Sequence, residues 1–426
     1  MLQRVSRLSR RASDVYFETG SVAAALRYVQ MTVSAKARLA FTHVLAMRRF
    51  VSPWQMGAEL RRIDALRTEG RLAVAINVSG GLGDLIVIAR FIRDLSAEVE
   101  PFAFDIFAPS PELARWVFRS VPGFADAFPD TLHEFAGKAY DIGFNVNQTV
   151  TIQHRMTLWK RLREAPLFAA AMNRMGKMRR RGLEPYIVNH PRLDNGLARK
   201  AVYWERSRRD FLHLMAGVPY GSDQLDVARD AAVLQRHGLA GRDYVTVHNG
   251  FDANFLITGP RATKCYPHFA EVVAGLKAAR PDLLVVQMGT TTSEPIPGVD
   301  LDLIGRTNLL EVAGLLTRTR LHLDNEGGLV HLAACLGQRS LVVFGPTPSD
   351  FFGYPGNINI DPLRCGGCWW IDELWMDRCP RGMAQPECVH SQPPERLVER
   401  ALDALAGPQV AATHRPTLAA ADREAQ

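Results

Sequence analysis

Hydrophobic and polar positions change rhythm several times along this chain, and each change marks an expected element. Leu72-Ala-Val-Ala-Ile-Asn-Val78 is a β-rich apolar run; a glycine turn, Ser79-Gly-Gly-Leu-Gly-Asp84, follows it, and an apolar helix then extends through Ile92. Strand, glycine turn and helix in that order open a βαβ unit. Further strands are expected at Phe102–Phe107 and Asp141–Val146, with a helix at Pro111–Phe118 between them. A doubly wound sheet results. A second alternation starts at Tyr244. It gives strands at Tyr244–His248, Leu283–Met288, Leu321–Asp324 and Ser340–Phe344, and helices at Phe269–Ala279, Leu309–Leu316 and Gly328–Leu336.

This patterning divides the chain. Residues 1–70 read as an N-terminal helical extension, because Val22–Phe41 is dense in apolar residues with Arg and Lys recurring on one side. Residues 71–230 form a first Rossmann-like domain with a basic helical insert at 150–210. Residues 231–406 form a second Rossmann-like domain, and the boundary falls in the Gly- and Pro-containing stretch 218–242. The Ala-, Pro- and Thr-rich tail 407–426 has no apolar periodicity and is expected to be disordered. The fold class is α/β, and 426 residues with 47% hydrophobic positions are ample for two such domains.

Charge adds an asymmetry that the pattern does not reveal. The net charge is +7. Residues 1–70 hold 12 Lys/Arg against 5 Asp/Glu, and residues 155–209 hold 15 against 4, including Lys177-Met-Arg-Arg-Arg181, so the rest of the chain is net acidic. Two basic segments on an acidic body point to an anionic partner such as a membrane surface or a phosphorylated acceptor, against the plainer reading of solvated helix faces. No nucleic-acid module is present, and no apolar run approaches the ~20 residues of a membrane span. The start of the chain lacks the apolar core of a secretory signal, which leaves a cytoplasmic location, with peripheral attachment to the inner membrane, as the expectation.

Candidate chemistry gathers in the second half. Cys365, Cys368, Cys379 and Cys388 read C-x2-C-x10-C-x8-C. The first pair has the spacing a tetrahedral metal needs and the second can close the site, so a structural Zn or Fe ion is expected, with disulfides or unrelated thiols as alternatives. With four protein ligands the ion has no open position, and no catalytic metal is expected. Trp369, Trp370 and Trp375 are placed to cover it. Cys335, in an apolar run, reads as a small buried hydrophobe.

The motifs in order resemble one family. Gly81-Leu-Gly-Asp-Leu-Ile86 resembles the Gly-Asp turn of the ADP-heptose glycosyltransferases (heptosyltransferases, glycosyltransferase family 9). Thr263-Lys-Cys-Tyr-Pro267 resembles that family's Lys-x-Trp-Pro element. Glu326-Gly-Gly-Leu-Val-His331 with Phe344-Gly-Pro-Thr347 resembles its Asp-Ser/Thr-Gly-x-x-His and Phe-Gly-Pro-Thr signatures. The resemblance spans about residues 72–400 and implies a GT-B-like fold, two Rossmann-like domains facing a cleft, and an inverting sugar transfer from a nucleoside-diphosphate sugar. In a branch that glycosylates autotransporter proteins, a four-cysteine iron site occupies the region of this chain's cysteines.

Through the resemblance Asp84 becomes the general base that takes the acceptor hydroxyl's proton, and capping of its helix is the competing role. Gly81, Gly83, Asn249, Lys264, Glu326, Gly327, Gly328, His331 and Thr347 become the nucleotide-sugar site. Lys264 would neutralise the diphosphate, and the Gly327–Gly328 helix start would offer it backbone N–H groups. Glu326 and Tyr266 depart from the family's Asp and Trp, which opens the donor to UDP-, GDP- or dTDP-sugars beside ADP-heptose. The acceptor is a lipopolysaccharide glycan, a lipid-linked glycan or a protein, and a homo-oligomer is compatible with the chain. A catalytically silent nucleotide-sugar-binding or scaffold subunit is the competing function.

Overall fold

The computed structural model describes residues 62–136, 139–153, 159–251, 255, 257–259, 261–291 and 293–407, together with positions 22, 26, 29 and 30. The expected amphipathic extension therefore lies almost wholly outside the described residues, apart from a helix at 62–68, and so does the tail beyond Gly407.

The first half builds a five-stranded sheet from β1 (Leu72–Val78), β2 (Phe102–Ala108), β3 (Phe124–Pro129), β4 (Ile142–Val146) and β5 (Val150–Ile152) in the order β3-β2-β1-β4-β5. All pairings are parallel except β5 against β4. Helix α1 (Leu82–Glu98) follows β1 and α2 (Pro111–Phe118) follows β2. Their burial explains the near-continuous apolar runs: a parallel strand covered on both faces has no polar face to display. Val74, Ile76, Phe104, Ile106 and Ile142 are all within 1% of complete burial. The stretch expected to be a basic helical insert, 150–210, begins with β5 and carries the helices α3 (Pro166–Met178) and α4 (Asp194–Tyr203); α5 (Phe211–Ala216) follows it.

The second half is a six-stranded, all-parallel sheet in the order β11-β10-β9-β6-β7-β8. Its strands are β6 (Tyr244–Val247), β7 (Leu284–Gln287), β8 (Leu301–Asp302), β9 (His322–Asn325), β10 (Ser340–Val343) and β11 (Ile358–Ile360). Helices α6 (Phe269–Ala279), α7 (Leu309–Arg318), α8 (Gly328–Cys335) and α9 (Pro394–Ala406) complete it. Asn308 starts α7 through a capping box with Glu311, each side chain bonding the other's backbone N–H.

Helices α1 and α8 join the halves, packing with their N-terminal turns together. A Cβ at Gly83 would lie 2.5 Å from the His331 ring, and one at Gly328 would lie 3.1 Å from Leu82 Cβ. Both glycines are thus required by close approach rather than by unusual dihedrals. An apolar core runs across this contact from Leu85 and Ile86 to Val330 and Leu332, while a separate cluster packs each sheet on its own side.

Candidate functional site

A cleft of about 850 Å³ lies between the two sheets. Its walls carry Gly81, Gly83 and Asp84 from the first half, and Lys264, Glu326, Gly327, Gly328, His331 and Thr347 from the second. Segments distant in sequence, from Ser79 to Met376, meet here, because both glycine turns leave the carboxyl ends of central strands, where open α/β sheets receive ligands.

Asp84 sits in the first turn of α1, but its carboxylate turns across the cleft. Arg208 Nη2 donates to Asp84 Oδ1 at 2.9 Å, and Gln148 Nε2 approaches the same oxygen at 3.4 Å. The helix has no side-chain cap; Gly81 occupies that position. Oδ2 rests against Gly80, where a Cβ would lie 2.2 Å from it, and the backbone there has φ +110°. Gly80 is therefore the residue that gives the carboxylate its place, through both dihedral and space. The glycine pattern drew attention to Gly81 and Gly83; the role of Gly80 becomes visible only once the Asp84 side chain is placed.

Arg208 was not legible in the sequence, being one basic residue in a basic stretch. It is 1% exposed, bonds the Asn147 carbonyl as well as Asp84, and leaves Nε and Nη1 without partners. His190 and Asp194 complete this wall, with His190 Nδ1 2.9 Å from Asp194 Oδ1. Burial raises the Asp194 carboxyl above its ordinary value, although His190 and Arg208 pull it down.

On the opposite wall Lys264 is buried and donates to Glu326 Oε2 at 3.0 Å. Burial alone would push Glu326 up, but Lys264 and His331 outweigh it and hold the carboxyl at about 2. Lys264, expected to neutralise the diphosphate, is thus paired with Glu326 in this structure. His331 extends the network: Arg90 Nη1 donates to the Tyr354 hydroxyl at 2.7 Å, and that hydroxyl lies 2.7 Å from His331 Nδ1. Arg90 can only donate, so the Tyr354 O–H is free to donate to Nδ1, which leaves the His331 proton on Nε2, 3.7 Å from Glu326 Oε1. Thr347 Oγ1 is buried without a partner. Asn249 donates to the Tyr266 carbonyl at 2.8 Å, so its amide holds the loop after β6, while its Oδ1 is unpartnered.

The cysteine loop is part of this cleft. Trp369, Trp370 and Trp375 line the cleft with Phe255, rather than serving only as cover for the cysteines. Gly367 N bonds Gly345 O at 3.0 Å and Trp369 N bonds Pro346 O at 2.9 Å, tying the loop to the turn that presents Thr347. Asn195 donates to Gly367 O at 2.7 Å and Arg192 pairs with Glu373 at 2.8 Å, so the loop also reaches the first half.

All four cysteines are free thiols, which removes the disulfide alternative from this structure. Left-handed backbone at Cys365, Gly366 and Gly367 curls the first pair into a knuckle. Cys365 hydrogen-bonds Cys388; burial, then the neighbouring thiols, push Cys388 up to about 12 and Cys368 to about 11. The donor type is right for a soft metal and the thiols share one locality. Even so, among the described residues no group of three or more His, Cys, Asp or Glu side chains is arranged to hold a metal ion. Cys335 is fully buried and bonds the Leu225 carbonyl, as a small core residue would.

The family model described as glycosyltransferase family 9 (heptosyltransferase) matches residues 224–363. The cysteine loop begins just beyond that match. No curated protein matches the chain. Among solved structures, the dodecameric iron-containing heptosyltransferase TibC in complex with ADP-D-beta-D-heptose shares its fold, at TM-score 0.51 and 15% identity over 79% of this chain and 76% of that one. TibC from enterotoxigenic E. coli H10407 gives TM-score 0.50 at 14% identity, covering 79% and 76%. A looser likeness, TM-score 0.48 at 18% identity, is to E. coli ADP-heptose lps heptosyltransferase II, covering 78% of this chain and 98% of that one. The likeness to TibC shows the fold of this chain to be GT-B-like, two parallel-sheet halves around one cleft, and residues 224–363 of its second half match the glycosyltransferase family 9 (heptosyltransferase) model.

Proposed function

We propose that the chain transfers a heptose-type sugar from a nucleoside-diphosphate sugar, ADP-heptose before UDP-, GDP- or dTDP-sugars, to an acceptor hydroxyl with inversion. The observation that carries this reading is the opposition of Asp84 to the Lys264–Glu326–Thr347 wall across one cleft. Asp84, paired with Arg208 and oriented over Gly80, takes the acceptor proton as the hydroxyl attacks the anomeric carbon. The nucleoside diphosphate leaves on the other side, toward Lys264, the Thr347 hydroxyl and the first N–H groups of α8. ADP-heptose is favoured because the TibC structure of like fold is described in complex with it.

The acceptor lies against Asn147, Gln148, His190, Asp194 and Arg208, and a glycan of lipopolysaccharide type, a lipid-linked glycan or a protein all present the hydroxyl it needs. Cys365, Cys368, Cys379 and Cys388 would be the residues to hold a structural Zn or Fe ion, as thiolates, and chemistry at the sugar needs no metal. The enzyme works in the cytoplasm, at or near the inner membrane.

Replacement of Asp84 by Asn tests the reading. Turnover should fall on the order of 10²–10⁴-fold with ADP affinity retained by calorimetry; near-normal turnover would return Asp84 to a merely structural role. Selective binding of ADP over UDP, GDP and dTDP identifies the donor base, and selective binding of another diphosphate reassigns it.

A further inference from the structure

The charges that line the cleft do not favour a diphosphate as they stand. Its permanent cations are Arg208 and Lys264, set against the carboxylates Asp84, Asp194 and Glu326. Arg208 is committed to Asp84 and Lys264 to Glu326. A donor brings further negative charge, and helix N-termini offer only partial positive charge against it. Among the described residues that line the cleft, a further full positive charge would come from protonation of a histidine.

The cleft presents His190, His248 and His331. His190 belongs to the first-half wall with Asp194, and His331 has both ring nitrogens engaged, by Tyr354 and toward Glu326. His248 differs. Its Nδ1 lies 2.9 Å from both oxygens of Asp324, and its Nε2 has no partner among the described residues. Its side chain is 15% exposed, and the ring edge lies over Gly250, where a Cβ would be 2.4 Å from Nε2. Asp324 is fully buried at the end of β9, two residues before Glu326. Burial would raise its carboxyl, but His248 and His322 outweigh that and hold it below the ordinary range, so it stays an acceptor. Nδ1 of His248 is thus the donor to Asp324, and Nε2 is the atom left to the cleft.

A fully buried polar row stands behind the pair. His322 Nε2 is 3.3 Å from Asp324 Oδ2, and its Nδ1 meets Thr246 Oγ1 at 3.0 Å, which bonds Thr319 Oγ1. Asp324 on β9 holds His248 directly with His322 behind it, and Lys264 before α6 and Glu326 and His331 around the start of α8 line the same cleft.

We propose that His248 is a second ligand of the donor's diphosphate: it takes up a proton on Nε2 as the nucleotide binds and donates that N–H to a phosphate oxygen, with Asp324 balancing the imidazolium. This rests on the second-half wall being the donor site. A bare Nε2 lone pair would repel a phosphate oxygen, so binding and proton uptake are one event. The proton comes from solvent and returns to it when the product diphosphate leaves.

The test is calorimetric titration of the full chain with ADP at about pH 8, in two buffers of different ionisation enthalpy. The wild type should take up as much as about one proton per ADP, and its affinity should fall on the order of 30- to 100-fold between about pH 6.5 and 8.5. His248→Gln should bind more weakly and lose both effects, and His248→Asn serves where the Gln variant does not fold. Binding without proton uptake in the wild type, or uptake retained in the variant, overturns the role of His248 while leaving the donor site in place. Failure of the wild type to bind ADP, UDP, GDP or dTDP overturns the donor site, and this inference with it.

Discussion

At the residue scale, the site depends on carboxylates held by specific neighbours. Gly80 is the sharpest case, because its missing side chain is the space that Asp84 Oδ2 occupies. Gly80→Ala should displace the carboxylate and strain a backbone at φ +110°. The expected result is a kcat reduced by ~100-fold with ADP affinity little changed, read from steady-state kinetics and calorimetry. Glu326 gives a pH signature. Its folded carboxyl, at about 2, lies below the ordinary 4.5, so its contribution to stability is present above about pH 4.5 and lost as pH falls toward 2. Urea denaturation midpoints should decline over that window in the wild type, and less steeply in Glu326→Gln. That variant should also be less stable at neutral pH, because Lys264 is left buried without its partner.

At the scale of elements, the cysteine loop matters most. It wears the cysteines on one side and lends Trp369, Trp370 and Trp375 to the cleft on the other, bound by backbone bonds to the turn that carries Thr347. A metal held by the four cysteines would stiffen a segment with little regular structure, over the stretch from the β11 end to α9. Purified protein should contain about one Zn or Fe per chain by elemental analysis, and an Fe centre would colour it. Stripping the metal should lower the melting temperature and weaken nucleotide binding together, because the loop and the Thr347 turn are one hydrogen-bonded unit. Protein that is metal-free, yet equally stable and active, would show the thiols to be sufficient as they are.

At the scale of the whole molecule, the basic excess is smaller in effect than its count. Arg179 pairs with Glu184, Arg192 with Glu373, Arg199 with Asp350, and Arg209 with Asp223, while Arg208 serves the cleft. Much of the positive charge in 155–209 thus holds the insert together and fastens it to the second half. What faces outward includes Lys177, Arg180 and Arg181 at the end of α3. Reversing these three to Glu should abolish co-sedimentation with anionic vesicles if lipid is the partner of that face; unchanged co-sedimentation would show that this face is not where lipid binds. Among the described residues no helix is long and apolar enough to cross a membrane.

The sequence alone determined what depends on neighbours along the chain. Pro111–Phe118 and Phe269–Ala279 match their expected bounds, and β1 matches too, because apolar periodicity and flanking turns act within a few residues. The edge strands β3, β5, β8 and β11 escaped, since strands at a sheet's edge are covered less and carry less apolar signal. The motif residues of the cleft were legible as motifs, because Gly, Asp, Lys and Thr at such turns advertise themselves. What they do was decided by tertiary structure. Arg208 on Asp84, Asp324 behind His248, Tyr354 between Arg90 and His331, and Gly80 beneath Oδ2 all involve partners whose meaning lies in space. Charges buried between two sheets must find partners wherever the fold brings them, and a sequence displays the charges without showing which pairs will close.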